Sequence, residues 1–162
     1  MKPSLKTILI AGLTAGTLDL ALAITYFGIT AHAPFTAVPQ TVASGILGAR
    51  AFRLGISAAL LGIFLHYFIA LTVADFYYAG SLRLKFLNRH PILSGAAYGL
   101  AVYLVMTFIV VPLSAASHAH PAHAWLLANR SWLIADIASH ILFIGITIAL
   151  ITRHYSTQSA PA

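Results

Sequence analysis

The chain carries only three acidic residues and eight histidines. Four of these, Asp19, His66, Asp136 and His140, interrupt long apolar stretches. A charge at the centre of a membrane span costs at least about 2.5–3.5 kcal/mol, so such groups turn toward protein or water and pair with one another. Asp136 and His140 are spaced i, i+4, which stacks a carboxylate beside an imidazole on one helical face. Counted from the outer ends of their helices, Asp19 lies about nine residues in, His66 about twelve and His140 about eight, so their depths agree within one turn. Tyr103 and Thr107 reach the same layer. We expect Asp19, His66, Tyr103, Asp136 and His140 to converge as one intramembrane polar cluster.

Such a cluster could do three things. Its hydrogen bonds could fix the register of the helices, which requires no cofactor. Neutral imidazoles with carboxylates could relay protons or hold zinc or another divalent ion. His66 and His140 could ligate a b-type haem. A second histidine group, His118, His120 and His123, falls in a loop that His32 could approach. Its spacing permits a metal site, but no carboxylate or thiolate stands near to complete one. Asp75 is half a turn out of phase with His66, and we expect it to pair with Arg83, Lys85 or Arg89. No phosphate-binding loop, nucleophile elbow, zinc-protease motif or dinucleotide fingerprint occurs. The chain has no Cys, which removes disulfides and thiolate chemistry.

The elements that must position these residues are membrane spans. Of 162 residues, 60% are hydrophobic and 7% charged, with a mean hydropathy of +0.90. A soluble domain has about 25% charged residues, so most of this surface must face lipid. Four runs reach the roughly 20 apolar residues that a spanning helix needs: 5–29, 54–78, 92–113 and 132–152. The expected fold is all-α: a polytopic bundle of four transmembrane helices forming one membrane domain over 1–162. Pro39 to Gly48 can form a short extra helix, interfacial or re-entrant, since Pro suits a first helical turn. The tail over 156–162 is small and polar, and we expect it to be disordered. The first run resembles a signal peptide, but Asp19 interrupts it and apolar sequence continues beyond, so we read it as a span.

Net charge is +6, and the bases cluster at the ends of the apolar runs, a pattern of topology and not of nucleic-acid binding. With the N-terminus inside, Lys2, Lys6, Arg83, Lys85, Arg89 and Arg153 lie on the cytoplasmic side, against Arg50, Arg53 and Arg130 outside. This favours a bacterial inner-membrane protein with both termini cytoplasmic. Gly12 and Gly16, and likewise Gly95 and Gly99, are spaced for close helix packing, within the chain or between copies in a homo-oligomer.

The stretch from His66 to Tyr155 resembles the YagU-like family of small bacterial inner-membrane proteins, whose molecular function is unknown. The resemblance rests on Leu65-His66, the basic loop after that helix, Val111-Pro112-Leu113 and Ser139-His140. It implies a helical inner-membrane protein and carries over no functional residue. The chain reads as a non-enzymatic integral membrane protein: a small carrier, channel or accessory subunit. The alternative is a membrane metal or haem protein using His66 and His140.

Overall fold

The computed structural model describes residues 3–118 and 129–158, and every regular element among them is helical. The helices are α1 (Pro3–Ala31), α2 (Ala37–Leu47), α3 (Ile56–Arg83), α4 (Lys85–Arg89), α5 (Pro91–Leu113) and α6, which begins with Arg130–Ser139 and ends with Thr147–Gln158. Short 3₁₀ turns at Gly48–Arg53 and Ala115–His118 follow α2 and α5. Four helices are long and apolar enough to cross a membrane, at Ser4–Ala31, Ile56–Arg83, Pro91–Leu113 and Arg130–Ser156. The protein is therefore all-α, with the build of a multi-pass membrane protein. The last helix continues to Gln158, past the start of the tail expected from 156.

Two of the spanning helices contain widened π turns. In α5 the turn covers Met106–Val110 and precedes Pro112. A proline ring clashes with the carbonyl four residues back and has no N–H to give it, and a π turn at that point relieves the clash. In α6 the turn covers His140–Ile146. There the Thr147 hydroxyl donates to the Leu142 carbonyl, five residues back, at 3.1 Å.

By internal contacts the chain divides into two compact units. The first is formed by Met1–Asp19, Tyr67–Val102 and Ala138–Ala162. Its core consists of small and medium residues: Ala11 and Ala15 of α1, Ala74 and Tyr77 of α3, and Ile144, Ile148 and Ala149 of α6. Glycines set the spacing. A Cβ on Gly12 would lie 2.9 Å from the Leu71 Cα, and one on Gly16 would lie 3.0 Å from the Ala70 Cβ. A Cβ on Gly95 would lie 2.8 Å from the Ile146 Cα, and one on Gly99 2.8 Å from the His140 carbonyl carbon. Lipid gives helices no hydrophobic reason to associate, so the drive here is backbone-to-backbone packing. The two glycine faces considered for self-association are thus engaged within the chain.

At one end of this unit the tyrosines organise the short α4 connection. The Tyr77 and Ser94 hydroxyls share a hydrogen bond of 2.9 Å, and Ser94 donates to the His90 carbonyl at 2.8 Å. Tyr98 donates to the Val73 carbonyl at 2.7 Å. Lys6, Arg83, Lys85, Arg89 and Arg153 all belong to this unit and are exposed. Its outward surface otherwise carries apolar side chains such as Phe68, Phe76, Leu93 and Leu142, a coat that suits lipid.

The second unit is formed by Leu20–His66 and Tyr103–Ile137. Here α2 seats its first turn against α3, and a Cβ on Gly62 would lie 2.6 Å from the Pro39 carbonyl carbon. That face of α2 buries Pro39, Gln40, Ala43 and Ser44. Gln40 donates its side-chain amide to the Gly55 carbonyl at 3.0 Å. Gly48 opens the 3₁₀ turn and Gly55 follows it, each at φ +57°, where a Cβ is disfavoured. Ile46 of α2 and the flanking Phe35, Arg50, Phe52 and Arg53 are exposed, a mixture of apolar and basic side chains that suits the headgroup boundary. At the far end of α1, Tyr26 shares a 2.6 Å hydrogen bond with Ser131, and the Tyr26 and Phe27 rings pack on Trp132.

Candidate functional site

Asp19 is half-buried on α1, three residues beyond the glycine contact that holds α1 against α3. Its carboxylate accepts a short hydrogen bond from the hydroxyl of Ser139 on α6. Ser139 is buried and is the last residue before the π turn that begins at His140. A charge-assisted hydrogen bond to a carboxylate is about twice as strong as a neutral one, and this one ties α1 to α6. The close packing of Gly99 on the His140 backbone fixes the start of the turn, and with it Ser139. On α1 and α3, Thr17 and Tyr67 share a further 2.9 Å hydrogen bond.

A second polar group lies in the second unit. Tyr103 is buried and hydrogen-bonded to the Thr107 side chain one turn on, and Asp136 is close enough to act on it electrostatically. His66 belongs to the same unit and is half-buried.

None of the five expected residues is exposed: Asp19, His66, Asp136 and His140 are half-buried and Tyr103 is buried. The structure links Asp19 to the residue next to His140, and Tyr103 to Thr107 and Asp136. In the sequence Ser139 figures only beside His140 in a short motif, with no role of its own: a small polar side chain next to a histidine in an apolar run does not reveal that it meets Asp19. Asp75 differs from expectation. It is exposed and has no hydrogen-bond or ion-pair partner among the described residues. Arg83 is eight residues along the same helix, about 12 Å away, and neither Lys85 nor Arg89 forms an ion pair with Asp75.

A metal site needs converging donors. Among the described residues no three His, Cys, Asp or Glu side chains come together in a way that could hold an ion. The side chain of His118, and His120 and His123 entirely, lie outside the described residues. What the arrangement can do chemically is hold a proton: a carboxylate, hydroxyl donors and half-buried imidazoles are all groups that exchange one. No family model, curated protein or solved structure matches the chain.

Proposed function

We propose that this is a non-enzymatic multi-pass protein of the bacterial inner membrane, with both termini cytoplasmic, acting as a small carrier or channel. In this reading Asp19 is its proton-accepting group. The supporting observation is the Asp19 carboxylate, half-buried within a spanning helix and held by Ser139. An ionisable group at such a site marks an ion or proton path by default. Orientation rests on the bases: the first unit holds Lys6, Arg83, Lys85, Arg89 and Arg153, the second Arg50, Arg53 and Arg130. The likeness to the YagU-like family belongs to the same proposal and adds no residue to it.

The test is proton flux. Purified protein is reconstituted into liposomes containing a pH-sensitive dye, and an imposed pH gradient is allowed to relax. We expect wild type to relax it faster than Asp19→Asn, with empty liposomes slowest. Equal rates for wild type, variant and empty liposomes would leave no carrier or channel role for Asp19.

A further inference from the structure

Asp75 is the one acidic group of the chain that the described fold leaves exposed without a partner. The outward face of α3 around it is Phe68, Thr72, Phe76, Ala79 and Leu82. This helix has 28 residues, about 42 Å, against a hydrocarbon core of about 30 Å. If α3 is centred in the bilayer, Asp75 lies about 7 Å inside the hydrocarbon boundary. Carboxylates at that depth turn inward or find a counter-charge, and this one has done neither within its own chain.

The counter-charge can be found by depth. Gly12 of α1 faces Leu71 of α3, and Gly16 faces Ala70 and Tyr67, so the two helices run antiparallel in a fixed register. Four residues beyond Leu71, Asp75 stands level with residue 8 of α1, and Lys6 is about 3 Å further along. Lys6 is exposed, and its Nζ sits 5.2 Å from the centre of the Tyr155 ring on α6. Among the described residues it has no carboxylate partner. One protomer therefore presents, at one level and on two helices, an exposed acid and an exposed base that are not paired with each other.

We propose that the protein self-associates in the membrane head-to-tail, with Asp75 of one copy pairing with Lys6 of the next. Two copies in the same orientation place these groups at matching depth, so the pair forms by lateral contact alone. The contact is heterologous, and it closes into a ring if the rotation between copies allows. It uses the outward face of α3 and the α1 edge beside Tyr155. The glycine faces, already filled within the chain, take no part in it.

The absence of native cysteine makes cross-linking unambiguous. Leu5, 48% exposed, and Phe76, 69% exposed, flank the two charges. Copies carrying Leu5→Cys and copies carrying Phe76→Cys, distinguished by tag size, are co-expressed and oxidised in isolated membranes. The expected product is the mixed dimer, in excess of either homodimer. Asp75→Asn or Lys6→Gln should lower its yield about tenfold, the scale of one interhelical polar contact in a membrane. The exchanged pair Lys6→Asp with Asp75→Lys should restore it. Neither single variant removes a contact within the described fold other than the Lys6–Tyr155 approach, and unchanged thermal melting would confirm that each folds. A predominant Phe76→Cys homodimer would overturn the proposal in favour of a two-fold contact. Monomer alone, or a mixed dimer indifferent to both charges, would overturn it outright.

Discussion

The hydroxyl of Ser139 donates to the carboxylate of Asp19 across two spanning helices, so the single acidic group of α1 is held by the residue at which α6 starts to unwind into its π turn. Replacing Ser139 with Ala leaves a half-buried carboxylate short of a donor. That should destabilise the protein by about 1–3 kcal/mol, read as a fall in melting temperature in detergent. Asp19→Asn keeps a hydrogen-bonding side chain at the site and should cost less. A Ser139→Ala protein that melts with wild type would show that the bond contributes nothing to stability.

Glycine substitutions should divide sharply. A Cβ at Gly62 meets the Pro39 carbonyl carbon at 2.6 Å, and one at Gly145 meets the Gly99 nitrogen at the same distance, in both cases rigid backbone. Ala at either site should cost about 1–3 kcal/mol or more, as overpacking does. Gly62→Ala should also raise hydrogen exchange in α2, which rests on that contact. Gly28→Ala is the control: nothing lies within 4 Å of its Cβ position, and it should be neutral or stabilising by up to about 1 kcal/mol. Equal effects at all three sites would refute the close backbone approach.

Tyr77 separates hydrogen bonding from packing. Its ring lies 5.1 Å from that of Tyr98 and its hydroxyl is shared with Ser94. Tyr77→Phe should cost about 0.5–1.5 kcal/mol, whereas Tyr77→Ala, which opens a cavity in the core, should cost about 3–5 kcal/mol. Thermal melting of the two variants side by side gives the comparison, and similar losses would mean that the hydroxyl carries the site.

Orientation can be read with reporters. A fusion after Ala162 should be active with a cytoplasmic reporter, and an insertion near His120 with one that works only outside. A C-terminal fusion active only outside the cytoplasm would reverse the proposed topology and exchange the faces assigned to the basic residues.

An absorption spectrum of the purified protein addresses the haem alternative for His66 and His140. The proton-handling reading expects a colourless preparation. A Soret band abolished by His66→Ala and by His140→Ala would displace that reading.

The amino-acid sequence by itself determined the four long helices, because twenty consecutive apolar residues have few other stable states in a bilayer. It also determined the extra helix after the first span, since Pro39 can open a helix and Gly48 can end one. It marked Asp19, His66, Asp136 and His140 as groups needing shelter, and none of them is exposed. Which groups meet was decided only by tertiary structure. The Asp19–Ser139 bond depends on the rotation of α6, and that rotation is set by Gly145 against Gly95 and Gly99. Asp75 shows the same limit: proximity in sequence suggests Arg83 as its partner, but eight residues of rigid helix keep the two apart. Periodicity states which face a residue occupies on its own helix. What stands opposite that face follows from the register between helices, and that register is set by contacts between residues far apart in the chain.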